Sequence, residues 1–116
     1  MKKDPFVFLK HIRDAIDLVD SFTKNYTKTK FLNDKLVQSA VIRQIEIIGE
    51  ATKNVPLNFR KKYQKIPWSN IAGMRDKLIR LYFGVNLERV WEVVKEDIPK
   101  LKQEINTIIE KEKTSL

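Results

Sequence analysis

The stretch 33–56, NDKLVQSAVIRQIEIIGEATKNVP, decides the fold. Asn33 or Asp34 can cap a helix start and Pro56 cannot continue one, so the spacing predicts a helix to about Val55. Leu36, Val37, Ala40, Val41, Ile45, Ile47, Ile48, Ala51 and Val55 cover more than one stripe of that helix. An apolar surface of that width packs against more than one neighbour, here a core and, by expectation, a second copy of the chain.

The flanks read the same way. Asp4-Pro5 is a cap followed by proline at the first helical position. Phe8, Leu9, Ile12, Ala15, Ile16, Val19 and Phe22 then recur at three- and four-residue steps, a helix to about Lys24. Asn25 to Lys30 reads as a loop. Leu57 to Tyr63 reads as a short basic helix, followed by a turn at Ile66-Pro67-Trp68-Ser69. Ser69 or Asn70 can cap a third long helix to about Tyr82, broken by Gly84. Asn86 can cap a fourth, with Leu87, Val90, Trp91 and Val94 on one face. Pro99 suggests that the chain restarts near Asp97 as a last helix carrying Leu101, Ile105 and Ile108. With only 3 glycines, 4 prolines and no sustained alternation, strands are not expected. The fold class is all-α, a four-to-five-helix up-down bundle in one domain over 1–116.

Composition narrows the chemistry. A chain of 116 residues can bury roughly two-thirds of its unfolded surface, enough for a core without staples. It has no cysteine and one histidine, His11, so disulfides, thiolate metal sites and thiol nucleophiles are excluded. No cofactor is expected. No apolar run approaches the ~20 residues of a membrane span and no signal peptide opens the chain, so the cytoplasm is the expected compartment. Lys plus Arg number 23 against 15 Asp plus Glu, a net charge of +8. Residues 1–86 hold 17 basic and 8 acidic groups, residues 87–116 hold 6 and 7. A basic body suits an anionic ligand such as nucleic acid, although a lysine-rich surface alone gives the same excess.

Polar groups on apolar helices mark candidate chemistry. Arg43, Glu46 and Glu50 fall on one line of their helix, and read as an ion-pair ladder. Two carboxylates one turn apart could also hold a metal or move protons, but no further carboxylate cluster completes a metal shell. His11 has no neighbouring serine or carboxylate pattern and reads as a surface or core-edge residue. In 73–84, Arg75 and Tyr82 are seven residues apart and share a helix face. Arg80 lies about 140° round from Arg75. The two arginines converge only if the helix distorts or if two chains meet across a twofold axis; otherwise both are surface arginines.

The segment GMRDKLIRLYFGVN resembles the signature of the HepT-like toxins, a branch of the HEPN superfamily. VIRQIEIIGEATKNVP, IPWSNIAGMRDKLI and VWEVVKEDIPKLK extend the resemblance over nearly the whole chain. The family pattern is Arg, four residues, His, one residue, Tyr. Arg75 and Tyr82 match it, and Arg80 stands where the family has histidine.

The resemblance implies a homodimeric, metal-independent endoribonuclease toxin whose motifs from both chains line a basic cleft. It implies RNA as substrate, with Arg75, Lys77 and Arg80 as its binding residues and Arg75 and Arg80 in the catalytic positions. It also implies a nucleotidyltransferase antitoxin as partner, which in some systems transfers AMP to the motif tyrosine, here Tyr82. An imidazole takes and gives protons at neutral pH, whereas a guanidinium with pKa above 12 binds phosphate and cannot act as base. Cleavage is therefore expected to be absent or strongly reduced. Arg80 fits a natural variant and an inactivated toxin equally. The alternatives are a non-catalytic nucleotidyltransferase-binding or nucleotide-binding module, and a helical dimer with no nucleic-acid role.

Overall fold

The computed structural model describes residues 4–74, 76 and 86–114. Arg75, Lys77, Arg80 and Tyr82 lie outside the described residues, as does the expected helix end at Tyr82 and Gly84. Every described element is helical, as the composition predicts: α1 (Pro5–Thr23), α2 (Lys28–Leu32), α3 (Lys35–Lys53), α4 (Leu57–Lys62), α5 (Trp68–Ala72), α6 (Leu87–Glu92), a π turn (Val93–Asp97) and α7 (Ile98–Thr114).

Local chemistry sets the helix starts. The Asp4 carboxylate accepts from Phe6 N–H and the Asp34 carboxylate from Val37 N–H, each filling one orphan donor of a first turn. Asn86 does the same for Arg89 N–H at the start of α6. α1 stops at Thr23, and Asn25, at φ 65°, takes the left-handed turn that sends the chain into α2. The expected loop over Asn25 to Lys30 is thus corrected: its second half is the start of α2. Thr27 caps that helix, and its Phe31 is fully buried at 5.2 Å from the Trp91 ring. That burial is tertiary and leaves no local periodicity.

α1 makes its most extensive contact with α3. Pro5 shares a hollow with Asn54 and Val55, so the start of α1 lies against the end of α3 and the two run antiparallel. Leu9, Ile12, Ile16 and Val19 of α1 and Val41, Ile45 and Ile48 of α3 are buried in one core. At roughly 1.5–3 kcal/mol for each buried aliphatic side chain, this pair supplies much of the driving force for folding. Lys102, near the start of α7, reaches Asp20 at 2.8 Å and Asp17 at 3.9 Å. Glu112, near its end, reaches Lys62, which lines the hollow beside Pro5. α7 therefore also runs antiparallel to α1.

Two further expectations are corrected. The third helix, expected to be capped by Ser69 or Asn70, does not run unbroken: α5 begins at Trp68, ahead of both caps, and ends at Ala72. Trp68 is fixed by its backbone N–H to Ile66 O at 2.8 Å and its indole N–H to Tyr63 O at 3.0 Å. Gly73 closes α5, where an added Cβ would sit 3.3 Å from the Ser69 carbonyl. Nor does the chain break and restart at Pro99. The π turn carries α6 into α7, with Ile98 N–H bonding to Val93 O five residues back. A proline lacks an N–H and crowds the carbonyl four residues earlier; the widened turn just before Pro99 shifts that ladder and lets the helix continue.

Candidate functional site

The described residues frame the motif without containing its four site residues. Met74 is buried and directly precedes Arg75 in sequence; Asn86 caps α6 on the far side. Between α5 and the α6–α7 rod lies a hollow of about 270 Å³, lined among others by Asn70, Met74, Arg89, Asp97, Lys100 and Glu104. Its charges balance. Arg89 donates to Glu92 at 2.8 Å, and that hydrogen bond holds its guanidinium above the ordinary arginine value. The pair is half exposed, so its net contribution is small, about 0–1 kcal/mol.

A second cleft, of about 360 Å³, opens between α1 and α3. It gathers His11, Arg43, Glu46, Glu50 and Asn54. The sequence put the three α3 residues on one line and left His11 apart; the antiparallel packing of α1 on α3 brings the imidazole to them. Arg43 and Glu46 approach to 3.9 Å, as the ladder reading expects. The cleft shares no lining residue with the hollow at Met74. Among the described residues no group of three or more His, Cys, Asp or Glu is placed to hold a metal ion.

A third constellation was not found from the sequence. The Tyr63 hydroxyl donates to the Glu112 carboxylate, which also accepts from Lys62 Nζ at 2.9 Å. Burial pushes the Tyr63 hydroxyl up to about 12, with the Glu112 carboxylate adding to it. The Tyr63 hydrogen bond, then Lys62, holds the Glu112 carboxyl below its ordinary value. These partners are 49 and 50 residues apart, so no local pattern announces them. Beside them, Arg60 donates Nε to Val55 O at 3.0 Å and a terminal N–H to Thr52 O at 2.7 Å, closing the C-terminus of α3.

The family described as "Ribonuclease HepT-like" matches residues 12–108. This chain belongs to the HepT-like ribonuclease family. The match spans the motif segment and both helices that frame it. A Thermococcus cleftensis protein named "Probable ribonuclease HepT" is 50% identical over 102 residues, covering 88% of this chain and 93% of the relative. A "Putative RNase" of Caldanaerobacter subterraneus subsp. tengcongensis is 43% identical over 111 residues, covering 96% and 99%. A Methanocaldococcus jannaschii protein named "Gamma-glutamylcyclotransferase and putative RNase" is 56% identical over 110 residues, 95% of this chain but 50% of the relative. The HepT-like chain spans half the length of that two-part protein. No solved structure matches at a significant level. Among the described residues no helix is long and apolar enough to cross a membrane.

Proposed function

We propose that this HepT-like chain is the RNA-directed toxin of a cytoplasmic toxin–antitoxin pair, a homodimer in which arginine at position 80 leaves RNA binding intact and removes most cleavage. One observation supports the reading: the family match spans the Arg75–Tyr82 segment, in which Arg80 stands where the resemblance expects the proton-transferring histidine. In metal-independent cleavage the 2′-oxygen loses its proton and bonds to the adjacent phosphorus. The phosphorus–5′-oxygen bond breaks and the 5′-oxygen takes a proton. Arg75 and Arg80 can clamp the phosphate and offset the developing charge. Neither accepts a proton at neutral pH. Lys77 adds a further phosphate contact. Losing general acid–base help costs about 10²–10⁴-fold in rate. Tyr82 is the proposed acceptor of AMP from a nucleotidyltransferase antitoxin.

Exposed aliphatic side chains support a second copy of the chain. Leu36 is 80% exposed and Leu57 70%, with Val7 and Leu18 also open to solvent. The loss of the histidine also favours a second reading, a nucleotidyltransferase-binding module without catalysis.

The test compares the chain with Arg80→His on a mixed RNA substrate without divalent metal, with sedimentation of the same samples at micromolar concentration. The expected result is a dimer in which Arg80→His cuts at least about 10²-fold faster than the parent. Equal cutting by both assigns the base elsewhere and sinks the mechanism. Cutting by neither, with both binding the nucleotidyltransferase, hands the function to the partner-module reading. A stable monomer removes the two-chain cleft.

A further inference from the structure

The short basic helix takes no part in the reading above. Residues 60–65, Arg-Lys-Lys-Tyr-Gln-Lys, hold four cationic side chains and no acid. Two of the four are committed to the fold: Arg60 to the carbonyls of Val55 and Thr52, and Lys62 to Glu112. Those bonds fix the backbone on either side of Lys61, which, like Lys65, is exposed. Facing them across a groove of about 700 Å³ are Gln103, Thr107 and Lys111 of α7. These lie at steps of four residues, one stripe running about 12 Å along the helix.

The groove is basic by construction. Lys61, Lys62, Lys65 and Lys111 line it, and Glu104 is the one acidic side chain among its lining residues. Glu112, at its edge, is held by Tyr63 and Lys62 and does not line the groove. Glu104 also lines the hollow at Met74, so the two cavities are neighbours along α7, whose lining residues run from Lys111 to Lys100 over roughly 16 Å of helix. Met74, the residue that precedes Arg75, lines the second of them.

We propose that this groove is a binding tract for the phosphodiester backbone of single-stranded RNA, holding the strand on a path along α7 that leads to the motif. The inference rests on the RNA reading given under the proposed function and adds to it a contact surface outside the motif. A lysine-lined groove that tracks a strand is the common element of sequence-independent single-strand binding, and glutamine and threonine side chains contact phosphate and sugar in the same setting. Tyr63 is the groove's one aromatic side chain and its hydroxyl is engaged by Glu112, so the tract reads backbone rather than base.

Salt dependence gives the test its scale. For single strands the slope of log K against log salt changes by about 0.7 per phosphate contact. Anisotropy of a labelled 20-nucleotide mixed-sequence RNA is measured with the full chain, with Lys61→Gln/Lys65→Gln, and with Lys24→Gln/Lys35→Gln. The last pair removes the same charge at the other end of the α1–α3 pair. The groove variant is expected to flatten the slope by about 1.4 and weaken binding about 25-fold at 0.1 M salt. The control should move it less than twofold. Lys65→Gln alone, outside α4, should flatten the slope by about 0.7, and circular dichroism checks that each variant is folded.

If the parent binds RNA and the groove and control variants lose equally little, the tract is overturned and the proposed function stands. If the parent shows no salt-dependent RNA binding, the RNA reading fails and the tract with it. Groove variants that keep RNA affinity but lose binding to poly-glutamate would overturn it in favour of an acidic protein surface.

Discussion

Two of the seams in this molecule are built from opposite materials. Between α1 and α3 the buried groups are aliphatic, and the hydroxyls that join them are satisfied within their own helices. Thr23 donates to Val19 O and Thr52 to Ile48 O, both at 2.7 Å. Between α4 and α7 the contact is a clasp of charged and polar groups, Tyr63 and Lys62 on Glu112, with Arg60 behind it. The first seam is long and regular, and its buried core carries no charge. The second is short and conditional on protonation, and it displays a row of lysines to solvent. Stability is concentrated in the first, and the surface available for an anionic ligand borders the second.

The largest effect should come from breaking the first seam. Ile45 is 1% exposed at the centre of the core, and Ile45→Ala removes three carbons from a site enclosed by two helices. The expected loss is about 2–5 kcal/mol, measured by denaturant unfolding, and equal at pH 7 and pH 4 because no charge is involved. A loss below about 1 kcal/mol would mean that the α1–α3 seam is not the principal source of stability.

Next in size is the arginine behind the clasp. Arg60→Ala removes the side-chain donor from the Val55 carbonyl and leaves the Thr52 carbonyl with its backbone donor Val55 N–H alone, at a cost of about 1–3 kcal/mol. Arg60→Lys keeps the charge near the negative end of the helix but not the two-point fork, so it should recover only part of that loss. Full recovery by lysine would show that charge, not hydrogen-bond geometry, closes α3. Thermal melting of the three proteins separates the cases.

The contrast between the seams also explains what the sequence could reveal. Leu9, Ile12, Ile16 and Val19 recur at helical spacing within one segment, and the caps Asp4, Asp34 and Asn86 act within three residues of themselves. Both signals are local, so α1, α3 and the start of α6 are legible. α2 is not, because its helix depends on Phe31 meeting Trp91. The passage through Pro99 is not, because a π turn has no residue signature. Arg75, Lys77, Arg80 and Tyr82 are legible through family resemblance and lie outside the described residues. The meeting of His11 with Glu46 and Glu50, and of Tyr63 with Glu112, depends on how whole helices pack; spacing along one segment carries no trace of it.

The smallest expected effect is the one that most sharply separates the seams. Glu112 titrates below its ordinary value in the fold, chiefly through the Tyr63 hydroxyl and then through Lys62. A depressed carboxyl contributes stability that is present above its unfolded value, near pH 4.5, and is lost as pH falls through the folded value. Glu112→Gln should therefore cost about 1 kcal/mol at pH 7 and nothing once the pH falls below the folded value of the parent carboxyl. Tyr63 works in the other direction. Its hydroxyl is raised to about 12 by burial and then by Glu112, so its contribution holds below pH 10 and fades as pH rises through 12. Tyr63→Phe removes the main donor to the carboxylate, and the Glu112 titration followed by NMR should move back toward 4.5, leaving Lys62 to hold it at 2.9 Å. If Glu112→Gln costs the same at pH 3 as at pH 7, the clasp is a packing contact like the α1–α3 seam, and the distinction between the two disappears.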